Sequence, residues 1–284
     1  MINEGGHVVD GGLIRWSLES LLSAFKGQRR RREPLFRQAE RLLGAFEAHG
    51  VPPHQLPRLM PESIRLTPQQ TASTEAFASH LRIEHLDWAS KELALRRDWL
   101  DLEGDQPHHV IHVYKQPRLL FQWLQEREMV RGNRFGSVHV LTEAIFEDPG
   151  IADGRFVVIY EEGFNEIDEK SLSRYWYLSE GSHFDHSPCV IDLLGILAIA
   201  EHFTLMPVGH VISEAATLSA EQGTLGLIPS ALKRKRGWRP QDWVPLQYET
   251  ANCETDRHRD LWEQTRERLL GDGLEQVLTL HKRP

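Results

Sequence analysis

The densest group of residues able to bind a metal lies in one short segment, His183-Phe184-Asp185-His186-Ser187-Pro188-Cys189. Imidazole, carboxylate and thiolate groups are ligands that suit zinc. The H-x-x-H spacing differs from the H-E-x-x-H pattern, which places two ligands and a base on one helix face. Two interpretations stay open: a metal site at His183, Asp185 and His186, or a polar loop that precedes an apolar helix.

Acidic residues form a second cluster between two strand-like runs. Its members are Glu161, Glu162, Glu166, Asp168 and Glu169. Paired carboxylates share acid and base roles only where their environments separate their pKa values. A solvated turn would not do this, so the pattern favours an acidic hairpin turn over a catalytic pair.

Nucleotide-binding and hydrolase signatures are missing from the sequence. It contains neither G-x-x-x-x-G-K, nor G-x-G-x-x-G, nor G-x-S-x-G. These are the loops that hold phosphates in P-loop and dinucleotide-binding proteins and the nucleophile in α/β-hydrolases. We therefore predict no cofactor, and an enzyme is less expected than a binding protein.

The net negative charge of the chain disfavours binding of the protein surface as a whole to DNA. The chain has 284 residues with 33 Lys and Arg against 41 Asp and Glu, a formal charge of -8. Residues 1–105 carry 14 basic and 15 acidic residues, whereas residues 106–284 carry 19 and 26. Any nucleic-acid contact is therefore expected in the N-terminal part.

Two basic runs are exceptions to this acidity. Arg29, Arg30, Arg31 and Arg32 could contact phosphates or lie solvated at the surface. The run at 233–236, followed by Trp238 and Trp243, could bind single-stranded nucleic acid or form a loop anchored by the two tryptophans.

Cysteine usage and hydropathy predict a cytoplasmic location. Cys189 and Cys253 lie far apart and form no disulfide framework. The longest uncharged apolar run, residues 193–200, is much shorter than the ~20 residues that span a bilayer. We expect no membrane crossing.

The hydrophobic pattern predicts an α+β protein, with an all-helical module followed by a larger mixed α/β domain. An amphipathic helix is expected at 13–25, and residues 34–102 have helical periodicity throughout. Beyond the Gly104–Pro107 break, the pattern indicates strands at 110–114, 138–141, 156–160, 175–178 and 208–212, and helices at 119–129, 190–203 and 255–270. The predicted division is an extension at 1–33, the helical module at 34–105 and the α+β domain at 106–284.

Residues 80–104, HLRIEHLDWASKELALRRDWLDLEG, resemble the end of a lambda-repressor-like (XRE-type) helix-turn-helix domain. The family's closing pattern of Leu, Ala, Trp and Gly is matched at Leu86, Trp88, Ala89, Leu93, Leu95, Trp99, Leu100 and Gly104. The resemblance covers about 70 residues and implies a DNA-binding fold. Its recognition helix would fall between Pro61 and Phe77.

The resemblance implies that Arg58, Arg65 and Arg82 contact phosphates or bases, with Arg29–Arg32 as an arm. Each could equally be a surface cation. The preferred hypothesis is a cytoplasmic, bacterial, regulator-like protein that binds double-stranded DNA, with an α+β domain that senses a ligand or a partner. A homodimer would suit two-fold operators. The alternatives are a protein-interaction module without DNA binding, and a metal-dependent enzyme that uses the His183/Asp185/His186 loop.

Overall fold

The computed structural model describes residues 33–132, 134–178, 181–232 and 236–279. The helix expected at 13–25 and the arm Arg29–Arg32 lie outside these residues, as do Lys233, Arg234 and Lys235. The described part of the chain is α+β, as the sequence predicts.

Short helices make up the helical module. They are α1 (Pro34–Ala48), α2 (Pro68–Thr71), α3 (Thr74–Ala78), α4 (Ile83–Leu93) and α5 (Arg97–Leu100), with 3-10 turns at Pro53–Arg58 and Glu62–Ile64. Pro34 opens α1 because the first helical N–H needs no partner. Gly50, at φ +86°, ends it by adopting a backbone conformation that favours glycine.

Two caps divide the segment in which the sequence places the recognition helix. Thr67 and Gln70 form a capping box that begins α2. Only a few residues later, the Ser73 hydroxyl accepts a hydrogen bond from Ala76 N (3.2 Å) and starts α3. The segment therefore forms two helices of 4 and 5 residues instead of one continuous recognition helix.

The module has its own apolar core. Its buried side chains include Leu42, Phe46, Leu56, Met60, Phe77, Leu86, Ala89, Leu93, Leu95 and Leu100. Trp88 stacks on Phe46 with ring centroids 5.0 Å apart. The Leu, Ala and Trp positions that carry the family resemblance are thus mainly packing positions.

A mixed sheet of six strands forms the centre of the second part. Its strands are β1 (Gly136–Thr142), β2 (Arg155–Ile167), β3 (Lys170–Tyr177), β4 (Ser182–His183), β5 (Met206–Val211) and β6 (Arg236–Trp238). The order is β3-β2-β1-β5-β6, with β4 paired to β2. Only β1 and β5 run parallel among these strands.

Helices cover both faces of the sheet. They are α6 (Pro117–Arg131), α7 (Ser187–His202), α8 (Glu214–Glu221), α9 (Ile228–Leu232) and α10 (Asp256–Gly271), with 3-10 turns at Pro240–Trp243, Leu246–Tyr248, Thr250–Asn252 and Glu275–Leu278. The apolar helix α7 packs with α6 and α10 in the largest core, together with Val138, Val158 and Trp176. The opposite face, with Leu141, Ile159 and Tyr177, packs against apolar residues of α8 and α9.

The β2–β3 hairpin connects the two parts. Ile167 at the end of β2 and Leu172 on β3 are 7% and 1% exposed, and both belong to the core of the helical module. The pairing of β2 with β1 ends at Glu162, so the distal part of the hairpin extends beyond β1 and places these two side chains in the module core. The hairpin therefore belongs to both cores.

Two sequence predictions are wrong in detail. Val110–Tyr114 is not a strand, because only Val110 forms an isolated bridge, to Tyr177 of β3. A hydrogen bond from Val113 N to Ile111 O (2.8 Å) then closes a tight turn that ends the pairing with β3. Glu161 and Glu162 do not lie in a solvated turn, because β2 continues through them to Ile167. Asp168 and Glu169 form the turn, each with positive φ.

We expect Leu172→Ala to lower the free energy of unfolding by about 2–4 kcal/mol, because a buried leucine leaves a cavity when truncated. Urea denaturation followed by circular dichroism measures this loss. Leu119→Ala, at a side chain that is 43% exposed, is the control and should change stability by less than about 0.5 kcal/mol. Equal effects of the two substitutions would contradict the placement of Leu172 in the module core.

Candidate functional site

A polar pocket lies where the helical module meets the α+β domain, and we name it the junction pocket. It has a volume of about 570 Å³. Its walls comprise Arg96, Gln106, His109, Val110, His112, Tyr177, Ala220, Glu221, Gln222 and Gly223. Pockets of this size between domains are common sites for small ligands.

Hydrogen bonds hold the two sides of the junction pocket together. Arg96 Nη1 donates to Gln106 Oε1 (2.9 Å), and Gln106 Nε2 donates to the carbonyl of Gln222 at the end of α8 (2.7 Å). Gly223, at φ +70°, permits this approach, because a Cβ there would lie 3.3 Å from the Gln106 side chain. The side chain of Gln106, in the connection between the module and the domain, therefore links the two sides of the pocket.

Tyr177 and His109 line this pocket with groups whose protonation is perturbed by burial. The Tyr177 side chain is 1% exposed, and its hydroxyl has no hydrogen-bond partner among the described residues. Burial raises the pKa of Tyr177 and lowers the pKa of His109, although a hydrogen bond with the backbone of Leu95 opposes the shift at His109. Both groups are consequently neutral at pH 7.

A buried polar network crosses the sheet face that carries α8 and α9. The ring of His139 contacts His210 Nε2 through Nδ1 (2.9 Å) and Glu161 Oε2 through Nε2 (2.7 Å). Tyr175 donates its hydroxyl proton to Glu161 Oε1 (2.9 Å). The network reaches the helical module, because His49 at the end of α1 lies 5.8 Å from Tyr175 between ring centroids.

Hydrogen bonding determines the charge of Glu161 in this network. Burial raises its pKa, but hydrogen bonds from His139, Ser173 and Tyr175 outweigh burial and leave the pKa below its usual value. Glu161 is therefore ionised at neutral pH. Both ring nitrogens of His139 are engaged in this network, one with His210 and the other with Glu161.

The next residue along β2, Glu162, forms a second network on the opposite face. Its carboxylate, with the side chain 1% exposed, binds Arg127 of α6 (2.5 and 2.7 Å) and Arg174 of β3 (2.5 and 2.9 Å). Both guanidinium groups lie over the ring of Trp176, at 4.9 and 5.5 Å. A buried carboxylate with two arginines is a structural link between α6 and the hairpin.

In the loop considered as a metal site, His183 lies near two carboxylates. His183 Nδ1 lies 3.9 Å from Asp185 Oδ1, and His183 Nε2 lies 4.0 Å from Glu221 Oε1, beside the junction pocket. His186 is the exposed N-cap residue of α7. In the described ranges, no group of three or more His, Cys, Asp or Glu side chains is positioned to hold a metal ion.

The described arginines expected at a DNA interface do not share one environment. Arg58 forms a bidentate ion pair with Asp168 of the hairpin turn, with both distances 2.7 Å. Arg65 donates to the carbonyl of Met60 (3.3 Å), and Arg82 is exposed at the start of α4. Residues 34–105 have 8 basic and 11 acidic side chains, a formal charge of -3.

The tryptophans after the basic run at 233–236 are packing residues. Trp243 is 1% exposed and donates to the carbonyl of Phe146 (3.3 Å). Trp238 packs against it, with ring centroids 4.9 Å apart. This packing supports the anchored-loop interpretation, since a buried ring cannot stack on a base.

Asp192 on α7 is a buried carboxylate with a perturbed pKa. Burial raises its pKa to about 6, against opposing contributions from a hydrogen bond with Lys115 N (2.9 Å) and from the charge of Arg268. It lines a cleft of about 10 Å³ between α6, α7 and α10. That volume holds one water molecule at most, which excludes a substrate.

Sequence reasoning missed the junction pocket and both glutamate networks. A signal for the networks was present in the alternation along β2, where neighbouring residues of a strand must face opposite sides. The pocket left no comparable signal, since its residues come from positions 96 to 223.

Both cysteines are buried free thiols. No helix among the described residues has the length and apolar character to cross a membrane.

Comparison with known proteins adds no homologue: the chain matches no protein-family model, no curated protein and no solved structure. The helix-turn-helix resemblance therefore stays a prediction from the sequence.

We expect Asp192→Asn to make the protein more stable than wild type at pH 7.5 but not at pH 4. A folded-state pKa near 6, above the unfolded value of 3.8, favours the folded state below pH 4 and loses that contribution as the pH rises through 6. Asparagine keeps an acceptor for Lys115 N. Urea titrations should show the difference growing by about 2–3 kcal/mol between these pH values.

The exposed Asp260, on the surface of α10, provides the matched control. Asp260→Asn should show no comparable gain, because an exposed carboxylate keeps its hydration on folding. If the difference in free energy of unfolding between Asp192→Asn and wild type is the same at both pH values, burial does not disfavour the charged form of Asp192 and the prediction is wrong.

Proposed function

We propose that the protein is a ligand-responsive, regulator-like protein whose helical module is a DNA-binding head on a sensing α+β domain. The carrying observation is the β2–β3 hairpin, which places Ile167 and Leu172 in the module core while its strands belong to the sheet. A displacement of the sheet would be transmitted to the module through this hairpin, because packed cores resist continuous deformation.

Polar contacts strengthen the same connection. Asp168 in the hairpin turn binds Arg58, and Lys170 Nζ donates to the carbonyl of Gly50 at the end of α1 (3.1 Å). At the base of the hairpin, Arg174 binds the buried Glu162. The anchor thus runs from the sheet interior to the surface of the module.

Double-stranded DNA is the partner that the helix-turn-helix resemblance implies. The net charge of -3 on residues 34–105 disfavours adhesion of the module as a whole to DNA. Under the proposal, affinity therefore depends on the arm Arg29–Arg32, with Arg82 and Arg58 close to the duplex. A homodimer and a reducing cytoplasm are both part of this proposal. The free thiols of Cys189 and Cys253 fit a reducing compartment.

Replacing all four arginines of the arm by alanine should weaken binding to duplex DNA about equally for every sequence. If the arm neutralises up to four phosphates, the slope of log affinity against log salt should decrease by about 3–4. Fluorescence anisotropy with a labelled duplex at several salt concentrations measures this slope.

The charge-matched control replaces Lys233, Arg234, Lys235 and Arg236 by alanine, which removes the same number of cations from the other basic run. It should leave the slope for duplex DNA nearly unchanged. If wild type shows no salt-sensitive affinity for duplex DNA, the DNA-binding part of the proposal is wrong and a protein partner becomes the better hypothesis.

Asp168→Asn should raise affinity for duplex DNA about threefold, because it releases Arg58 from its ion pair so that the guanidinium can bind phosphate. Glu169→Gln removes an equal charge from the adjacent exposed position and should raise affinity less. Anisotropy titrations of the two variants in one buffer compare them directly. Equal effects would indicate a general charge contribution with no direct role of Arg58.

A further inference from the structure

Helix α6 carries an apolar face that the described part of the chain leaves open to solvent. Its side chains Leu119, Met129 and Val130 are 43%, 76% and 57% exposed. They are three of the ten exposed large apolar side chains among the described residues. Single exposed apolar side chains are ordinary, but several on one short helix mark a surface that another molecule covers.

Helical geometry places these three side chains on the outer side of α6. At about 100° per residue, Leu119 and Val130 point within about 20° of each other, and Met129 lies about 80° from Leu119. The inner side, with Leu120 and Leu124, is buried in the largest core, where α6 packs with α7. The sheet and α7 therefore hold α6 by its inner side, and its outer side is available to a partner.

The exposed apolar residues lie at the two ends of this outer face. Leu119 belongs to the first turn of α6, and Met129 and Val130 belong to the last turn. About 16 Å of helix separates Leu119 from Val130, and the two positions are equally far from the middle of the helix. A second copy of α6 in antiparallel orientation would place its last turn on the first turn of this copy. Both ends would then bury apolar surface, as a two-fold symmetric interface requires.

The polar residues between the two ends are complementary under the same symmetry. Gln122 and Glu126 are both exposed and lie one turn apart on the outer face. Antiparallel copies would bring the Gln122 amide of one copy close to the Glu126 carboxylate of the other, to which it can donate a hydrogen bond. In a parallel arrangement the two copies of Glu126 would face each other, which is unfavourable. A second copy supplies this spacing by symmetry, whereas an unrelated partner would have to reproduce it.

We propose that two copies of the chain associate through α6, antiparallel across a two-fold axis, with Leu119 of each copy against Val130 of the other. The dimer rests on the proposed function only for its role in reading two-fold DNA sites. Because the face is a single helix of 15 residues, the interface is small. We expect a concentration-dependent dimer with a dissociation constant of about 10–100 μM.

Sedimentation velocity of the full chain at about 1–300 μM tests this association. Wild type should change from monomer to dimer within the range. Val130→Glu should weaken association at least about tenfold, because the new carboxylate would be buried against Leu119 of the other copy. Ile151→Glu, in the loop before β2 at a side chain that is 63% exposed, is the matched control and should associate as wild type does. Thermal melts of both variants confirm that they are folded.

Cysteine cross-linking tests the antiparallel orientation. Leu119→Cys and Val130→Cys combined in one chain should give a covalent dimer on mild oxidation, because a disulfide needs Cα atoms within about 7 Å and antiparallel copies bring the two positions together. Each single variant should stay uncross-linked, because equivalent positions of the two copies are about 16 Å apart. Wild type under the same oxidation is the control, since Cys189 and Cys253 are buried.

The proposal is overturned if wild type is monomeric throughout the concentration range, if Val130→Glu associates as tightly as wild type, or if the single cysteine variants form covalent dimers. A monomeric wild type would leave the face to another occupant, such as residues 13–25 of the same chain. Anisotropy with duplex DNA separates this inference from the proposed function. A dimer without DNA affinity would support the α6 interface and contradict DNA binding, whereas DNA affinity in a monomeric protein would do the reverse.

Discussion

A carboxylate that is removed from water needs positively charged partners to compensate for its lost hydration. Glu162 is such a carboxylate, so the elements packed around β2 must supply these partners. Its partners come from different elements, Arg127 from helix α6 and Arg174 from strand β3. Removing either partner would leave a buried charge partly unmatched. The Glu162 carboxylate therefore adds an ionic link between α6 and the base of the β2–β3 hairpin to the apolar packing that holds both against the sheet.

From this base the hairpin extends into the helical module, and the protein cannot be treated as two independent units. Burial of Ile167 and Leu172 supplies apolar contact, while the exposed pair of Arg58 and Asp168 sets orientation more than stability. The junction pocket lies beside this connection and is bridged by Gln106. A ligand there would act on the contact between module and domain, which is the physical basis of the regulatory proposal.

The opposite sheet face carries the complementary network of Glu161, Tyr175, His139 and His210. Glu161 and Glu162 are adjacent, so the alternation of a strand directs them to opposite faces. Each face thus has a buried carboxylate satisfied by side chains from neighbouring strands or helices. Such satisfied networks rigidify a sheet, and they make β2 a suitable element for carrying a displacement from one end to the other.

The sequence by itself determined the α+β class, the helices α1, α6, α7 and α10, and strands β1, β2, β3 and β5 in approximate position, because hydrophobic periodicity is a local property of the chain. The brief extended segment after Pro107 was misjudged, since whether a strand continues depends on which neighbour it pairs with. The location of Glu161 and Glu162 was misjudged for the same reason. Tertiary structure alone decided that Asp168 neutralises Arg58, that His183 faces Glu221, and that positions from Arg96 to Gly223 line one pocket. Those contacts join residues far apart in the chain, and the spacing along a single sequence holds no information about which distant side chains will meet.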